Sequence, residues 1–145
     1  MTFLNLKLIK PLIVALDKMG YTQPTPIQEQ SIPHILNGKD IFGCAQTGTG
    51  KTAAFALPIL QLLSLNKTTS NTRSIRALVL APTRELALQI SENFKSYSNQ
   101  LQISHTTIFG GVSQVNQVKD LQRGVDVLIA TPGRLIDLMN QGYIK

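Results

Sequence analysis

The sequence predicts an α/β fold, in which a parallel sheet is covered by helices on both faces. Four short apolar runs are each followed by a segment with apolar residues at helical spacing, and such an alternation is typical of parallel sheets. The chain has 145 residues, which suits one domain with a hydrophobic core. Its 43% hydrophobic and 15% charged residues are ordinary for a globular protein. No apolar run approaches the length of a membrane span.

The first 38 residues are predicted to be helical. "PLIVALDKMG" has apolar residues at helical spacing, with Pro11 at the first helical position and Gly20 at the stop. "YTQPTPIQEQSIPHILNG" contains three prolines, which predict a turn and then short helical pieces starting at Thr25. We therefore expect a helical region over 1–38 and an α/β region over 39–145.

The four strand–helix pairs follow in order. The strands are predicted at "DIFGCA", "RALVLA", "SHTTIF" and "VDVLIA". The helices that follow them are expected over residues 51–64, from "PTREL" to about 98, over "VSQVNQVKDLQ", and from "TPGR" to about 141. We expect Pro58 to kink the first of these helices, the polar residues 64–74 to form a surface loop, and "YIK" to begin a fifth strand.

Charge and cysteine content narrow the class of protein. A net charge of +6 favours polyanionic partners. The one cysteine, Cys44, excludes an internal disulfide framework and suits a reducing, cytoplasmic compartment. We expect Cys44 to be a small buried apolar side chain.

The segment "AQTGTGKT" (45–52) has the pattern of a phosphate-binding loop. Gly48 and Gly50 allow the backbone to adopt unusual torsions and to approach a ligand closely. Successive N–H groups and the dipole of the following helix then favour an anion. Lys51 would contact the outer phosphates, and the Thr52 hydroxyl would bind Mg²⁺. Ala45 departs from the strict pattern, in which a glycine opens the loop.

The identity of the base depends on other residues. A guanine-specific protein of the small-GTPase kind would carry Asn-Lys-x-Asp, but the chain's one Asn-Lys is in "NKTT". The carboxamide of Gln28 both donates and accepts, which matches the N6/N7 edge of adenine. A helix-surface glutamine without a ligand is the alternative interpretation of Gln28.

The other three strand ends also carry groups that suit anions. Thr83 and Thr131 lie where helix caps are expected, and "GG" follows the third strand. Arg84 and Arg134 lie near helix N-termini, where a cation is unfavourable unless an anion binds there. These features favour a second, extended polyphosphate, namely a nucleic-acid backbone along the edge of the sheet. Ordinary helix starts and turns are the alternative. The few aromatic residues favour backbone contact over base recognition.

Five segments together resemble the DEAD-box ATP-dependent RNA helicases. They are "GYTQPTPIQ", "AQTGTGKT", "PTRELA", "GG" and "TPGR", which resemble that family's Q motif and motifs I, Ia, GG and Ib in order and spacing. The resemblance spans the chain from Phe3 onward and is closest to the bacterial RhlE type. It implies a RecA-like P-loop NTPase fold, with a parallel sheet that is incomplete in this chain. It also implies ATP, Mg²⁺ and RNA as ligands.

The resemblance also implies roles for individual residues. Catalytic roles would belong to Lys51 and Thr52, and Thr52 would bind Mg²⁺. The ATP-binding residues would be Phe3, Tyr21, Gln23, Gln28, Ala45, Gln46, Thr47, Gly48, Thr49, Gly50, Lys51 and Thr52. Among these, Phe3 would pack on the adenine that Gln28 recognises. The RNA-backbone contacts would be Pro82, Thr83, Arg84, Gly110, Gly111, Thr131, Gly133 and Arg134.

The sequence lacks a carboxylate that could hold Mg²⁺ at the end of a strand. Asp40 and Asp126 precede strands, which places them at the opposite edge of the sheet. The resemblance implies that an Asp-Glu-Ala-Asp motif and a second domain would follow Lys145. We therefore expect an N-terminal fragment that is inactive alone. We also expect it to be marginally stable and prone to aggregate, because the strand before the glycine loop would lack its neighbours.

Three functions are compatible with the sequence. The first is the ATP- and RNA-binding part of an ATP-dependent RNA helicase. The second is a stand-alone RNA- or protein-binding module with a vestigial phosphate loop. The third is another P-loop ATPase that acts on DNA. Hydrolysis by a longer chain separates the first from the second, and stimulation by RNA or DNA separates the first from the third.

Overall fold

A computed structural model of the chain describes residues 1–66 and 74–144. Within these ranges it contains a short 3-10 helix, Phe3–Leu6, six α-helices and three strands. The α-helices are α1 Lys10–Lys18, α2 Pro26–Leu36, α3 Lys51–Leu65, α4 Arg84–Tyr97, α5 Val115–Arg123 and α6 Pro132–Asn140. The strands are β1 Ala77–Leu80, β2 His105–Ile108 and β3 Val127–Ala130. The predicted α/β class is confirmed, and the helix boundaries lie within a few residues of those predicted.

The described residues divide into two compact units. The first contains residues 1–66 and 93–102, and the second contains 74–92 and 103–144. The first unit is helical, and the second contains the sheet. None of the helices in these ranges is long and apolar enough to cross a membrane.

Helices α2 and α3 pack against each other in the first unit. Its fully buried side chains include Leu12, Leu16, Ile32, Leu57 and Leu60. The prediction of short helical pieces after Thr25 is wrong, because α2 is one helix that contains Pro33. Burial of one face of α2 offsets the backbone hydrogen bond that proline removes. Helix α3 likewise continues through Pro58.

Gln61 ties the start of the chain to α3. Its side chain is buried, its Oε1 accepts a hydrogen bond from Ile9 N at 2.8 Å, and its Nε2 donates one to Lys7 O at 2.9 Å. Lys7 has a φ of 61°, so the backbone reverses there in the left-handed region. The two hydrogen bonds hold this turn, and the 3-10 helix before it buries Phe3 and Leu6.

The sheet of the second unit has the order β1-β3-β2, and all its strands are parallel. Ala130 of β3 pairs with Leu80 of β1 on one side and with Ile108 of β2 on the other. The three strands therefore end at the same level. An apolar cluster connects the sheet to α6 and consists of Ile108, Leu128, Ala130, Leu135 and Leu138. Four partly buried apolar residues pack against it: Ile75, Val118, Leu121 and Ile144.

The predicted strand at residues 40–45 is wrong. This segment has no strand partner among the described residues, and a strand needs a neighbour to pair its backbone N–H and C=O groups. Phe42 is 97% exposed and Ile41 is 41% exposed. Cys44 is exposed as well, so the prediction of a buried cysteine is wrong for the same reason.

Two further predictions concern segments near the limits of the described ranges. Residues 143–144 form no strand, so the described part of the predicted fifth strand is not confirmed. Most of the predicted polar loop, residues 67–73, lies outside the described residues.

Candidate functional site

The glycine loop has the backbone shape that its sequence predicts. Gly48 and Gly50 have φ values of +84° and +83°, in the left-handed region that favours glycine. Thr49 Oγ1 donates a hydrogen bond to Gln46 O at 2.6 Å and so closes the turn internally. Helix α3 begins directly after this turn, at Lys51.

The N-terminus of α3 is open to an anion. Gly50 is the N-cap, no side chain caps this end, and the first helical turn contains no acidic residue. The first N–H groups of a helix have no partner within the helix, and the helix dipole makes this end positive. Lys51 is exposed and Thr52 is half-buried at the same end. These groups suit a phosphate, to which the amides donate hydrogen bonds and Lys51 adds positive charge.

Gln28 connects α2 to this loop. The side chain is 6% exposed, Oε1 accepts a hydrogen bond from Thr25 N at 3.0 Å, and Nε2 donates one to Gly50 O at 3.1 Å. A carboxamide has two acceptor lone pairs and two donor hydrogens, so one of each remains for a ligand. Because its side chain is buried, Gln28 is not a surface glutamine. Recognition of adenine by Gln28 stays a prediction.

The other predicted ATP-binding residues differ in their surroundings. Phe3 is 5% exposed and belongs to the buried core, whereas Tyr21 and Gln23 are exposed. In the loop, Gln46, Thr47 and Gly48 are exposed, while Ala45, Thr49 and Gly50 are half-buried. The structure thus brings Gln28 against the glycine loop. Packing of Phe3 on adenine stays a prediction.

The predicted RNA-binding segments lie at one edge of the sheet in the second unit. Ala81 N donates to Ala130 O at 2.9 Å, and Thr131 N donates to Ile108 O at 3.0 Å, so the three chain segments leave the sheet side by side. The predicted contact residues of these segments are exposed at Pro82, Thr83, Arg84, Gly110, Gly111 and Gly133, and half-buried at Thr131 and Arg134. The prediction that three strand ends carry these segments is confirmed.

Arg84 lies over an aromatic ring of a neighbouring segment. Its guanidinium carbon is 4.9 Å from the centre of the Phe109 ring, which is the distance of a cation–π interaction. Thr83 Oγ1 accepts a hydrogen bond from Leu86 N at 3.2 Å and so caps α4, as its sequence position predicts. Segment 82–84 therefore contacts the segment that contains Gly110 and Gly111.

The guanidinium of Arg134 is engaged by protein groups. Nη1 donates to Gln117 Oε1 at 3.0 Å, and Nη2 donates to Val112 O at 2.9 Å. Nε lies 3.8 Å from Asp137 Oδ2, and the side chain is 13% exposed. Arg134 therefore joins the start of α6 to the glycine-containing segment. A direct contact between Arg134 and RNA stays a prediction.

Sequence reasoning missed Gln117. Its side chain is 7% exposed, and Nε2 donates a hydrogen bond to Phe109 O at 3.1 Å. One signal was available: Gln117 precedes Val118 and lies one helical turn before Leu121, so it is a polar residue beside the apolar face of α5. Its two partners could not be predicted, because one is the backbone carbonyl of Phe109 and the other is the side chain of Arg134, and both lie outside α5.

No acidic residue follows directly on any of the three strands, although Glu85 and Asp137 lie slightly further along the chain. The four residues after each of β1, β2 and β3 contain no aspartate or glutamate. Among the described residues, no group of three histidine, cysteine, aspartate or glutamate side chains could hold a metal ion. Binding of Mg²⁺ by Thr52 stays a prediction.

Comparison with known proteins gives consistent matches. A sequence model described as DEAD/DEAH box helicase matches residues 25–145. The ATP-dependent rRNA helicase RRP3 of Meyerozyma guilliermondii is 51% identical over 94% of this chain. The probable ATP-dependent RNA helicase ddx27 of Dictyostelium discoideum is 52% identical over 94% of it, and the ATP-dependent RNA helicase DeaD of Escherichia coli is 43% identical over 99%. The chain spans 28%, 17% and 22% of the length of these three relatives.

Proposed function

Since the chain belongs to the DEAD/DEAH box helicase family, we propose that it is the ATP- and RNA-binding part of an ATP-dependent RNA helicase. Such an enzyme couples ATP hydrolysis to the unwinding of RNA duplexes. The observation that carries the proposal is the open N-terminus of α3, which follows two left-handed glycines and is tied to Gln28. Relatives named as ATP-dependent RNA helicases support it.

The glycine loop would hold the nucleotide phosphates. The N–H groups at the start of α3 would donate to phosphate oxygens, Lys51 would balance their charge, and the Thr52 hydroxyl would contact Mg²⁺. Bound Mg²⁺ would neutralise charge on the transferred phosphoryl group. Gln28 would recognise adenine with the donor and the acceptor that its bonds to Thr25 and Gly50 leave free.

The strand-end segments 82–84, 110–111 and 131–134 would contact the RNA backbone. Exposed glycine amides and the Arg84 guanidinium suit phosphate oxygens, and a net charge of +6 favours a polyanion. Contacts of this kind carry little sequence information. We propose a cytoplasmic location, which the single cysteine suits.

Binding of ATP is tested with a fluorescent ATP analogue and Mg²⁺. Lys51→Ala removes the charge at the phosphate site and should weaken binding about tenfold or more, since a charge-assisted contact is worth about 1.5–3 kcal/mol. Lys39→Ala removes an exposed charge that precedes the loop and serves as the matched control. Equal affinities for the two variants would contradict the proposed role of the loop.

Hydrolysis separates the proposed function from a stand-alone binding module. We expect the 145-residue chain to bind ATP weakly and not to turn it over, because no carboxylate lies directly at the end of β1, β2 or β3 to hold Mg²⁺. Hydrolysis that depends on Lys51 in this chain would contradict that expectation. A longer chain, extended to cover the part of the relatives that lies beyond the matched region, should hydrolyse ATP. If the phosphate loop is vestigial, the longer chain should not hydrolyse ATP either.

Stimulation of hydrolysis by RNA or by DNA distinguishes the proposed function from that of a DNA-dependent ATPase. Hydrolysis by the longer chain should be stimulated by RNA more than by DNA of the same sequence, because contacts to the 2′-hydroxyl distinguish the two. Equal stimulation, or stimulation by DNA alone, would favour the DNA-dependent enzyme.

A further inference from the structure

We propose that Gln117 is a positioning residue, which holds the glycine-containing segment 109–112 in the shape that binds RNA. The inference rests on the proposed RNA-binding function of that segment. Gln117 would not contact RNA itself, since its side chain is 7% exposed.

Gln117 makes two side-chain hydrogen bonds that connect different segments of the chain. Nε2 donates to Phe109 O, which is directly before the two glycines, and Oε1 accepts from Arg134 Nη1. A buried carboxamide that lost these partners would pay the full cost of desolvation. Helix α5 therefore fixes the Phe109 carbonyl and the Arg134 guanidinium relative to each other.

The other end of the segment is held by Arg134. Arg134 Nη2 donates to Val112 O at 2.9 Å, directly after the two glycines. The segment is thus held at both ends by one connected pair of side chains, Gln117 and Arg134. Between these ends Gly110 and Gly111 are exposed, and a Cβ added to either would meet no atom within 4 Å. The fixed ends leave the glycine backbone accessible to a phosphate.

Arg84 is connected to Gln117 through Phe109. The ring beneath the Arg84 guanidinium belongs to Phe109, whose carbonyl Gln117 holds. A change at Gln117 would therefore displace the ring on which Arg84 rests. All three predicted RNA-binding segments are linked through Phe109, Gln117 and Arg134.

The test measures RNA affinity of the 145-residue chain with a fluorescent oligouridine. Gln117→Met keeps the approximate volume and removes both hydrogen bonds. We expect about tenfold weaker binding, the equivalent of one or two lost hydrogen bonds. The slope of log affinity against log salt should also fall by about 0.7, because displacement of the Phe109 ring would take the Arg84 guanidinium away from one phosphate. Gln122→Met, an exposed position of the same helix, is the matched control and should bind as the parent chain does.

NMR order parameters of the backbone amides give a readout at the segment itself. In Gln117→Met, the order parameters of residues 110–113 should fall below those of the Gln122→Met control, toward the values below about 0.6 that mark a flexible backbone, because both ends of the segment are released. Unchanged order parameters there, or unchanged RNA affinity and salt slope, would overturn the inference.

A double-mutant cycle distinguishes positioning from a separate RNA contact. Arg134→Lys keeps the positive charge but cannot reach Gln117 and Val112 together. If the two side chains act as one unit, Arg134→Lys should weaken RNA binding as Gln117→Met does, and the double variant should be no weaker than either. Additive losses would overturn the inference. If Gln117→Met does not fold, Arg134→Lys alone tests the connection.

The parent chain separates failure of this inference from failure of the proposed function. If the parent chain and the Gln122→Met control do not bind oligouridine, the proposed RNA-binding function is wrong and the inference falls with it. If they bind and Gln117→Met binds equally well, only the role of Gln117 is wrong.

Discussion

Gly50 lies where α3 begins, and its missing side chain leaves space for the Gln28 carboxamide. A Cβ at this position would collide with the side-chain nitrogen of Gln28, whereas a Cβ at Gly48 would meet no atom within 4 Å. Both glycines have positive φ. The two positions therefore share the same backbone requirement, and they differ in the neighbours that a Cβ would meet: the Gln28 carboxamide in collision and Thr25 Oγ1 at 3.3 Å beside Gly50, and no atom beside Gly48.

This difference predicts unequal effects of two alanine substitutions on stability. Gly48→Ala and Gly50→Ala should each cost about 1–2 kcal/mol for the left-handed backbone. Gly50→Ala should cost about 1–3 kcal/mol more, because it breaks a buried hydrogen bond of Gln28. Urea unfolding of both variants measures the difference. In a Gln28→Ala background the difference should vanish, and its persistence there would contradict the explanation.

Because the pKa of Tyr97 is raised, we predict that the free energy of unfolding depends on pH in the alkaline range. Burial, with a smaller contribution from Tyr21, raises the pKa of Tyr97 to about 12 from its ordinary 10.0. The folded state therefore keeps the proton that the unfolded state loses, so this stabilisation is complete below about pH 10 and is lost as the pH rises to about 12. The free energy of unfolding should fall more steeply between about pH 10 and 12 in the parent chain than in Tyr97→Phe. Equal slopes would contradict the assignment.

At the scale of elements, residues 40–45 and β1 are a contrasting pair. Both are short apolar runs in the sequence, yet only β1 has a neighbour, β3. Ala77 N donates to Asp126 O at 3.1 Å, and Ala81 N donates to Ala130 O at 2.9 Å. Pairing therefore decides which run becomes a strand.

Hydrogen exchange should reproduce this contrast. The amides of residues 41–45 should exchange at nearly the rate of an unfolded chain, because no strand pairs with them among the described residues. The amides of Ala77 and Ala81 should exchange more slowly and serve as the internal reference. Equal protection of the two segments would show that residues 41–45 are paired in solution.

The same contrast shows what the sequence could predict. "ALVL" and "VLIA" were predictable strands because their apolar runs are bounded by turn residues, and the helices were predictable from their periodicity and caps. "DIFGCA" has the same local pattern, but pairing depends on chain segments far away in sequence. The left-handed glycines of the loop were predictable because few other residues adopt that conformation. The Gln117–Arg134 connection was not, since it depends on the mutual placement of α5, α6 and segment 109–112.

At the scale of the whole molecule, apolar surface is exposed at several places. Leu78 and Leu80 point to the same face of β1 and are 49% and 55% exposed, while Val79 on the opposite face is 8% exposed. Phe42 adds a nearly fully exposed ring. Such surface favours association between molecules.

We therefore expect the chain to associate as its concentration rises. Replacing Leu78 and Leu80 together with glutamine should reduce association, measured by light scattering, with little loss of stability. Val79→Gln is the matched control, and it should lower the free energy of unfolding by about 1–3 kcal/mol because it buries a polar group. Unchanged scattering in the double variant would show that the exposed face of β1 does not cause association.

The common level at which β1, β3 and β2 end has a consequence for how the proposed RNA-binding edge can vary. Adjacent strands lie about 4.8 Å apart, a distance that backbone hydrogen bonding fixes whatever the side chains are. The loops after these strands therefore begin at the same regular spacing. Substitutions within a loop can alter how strongly that loop would bind a polymer. The distance between the contacts of neighbouring loops, however, is set by the peptide backbone.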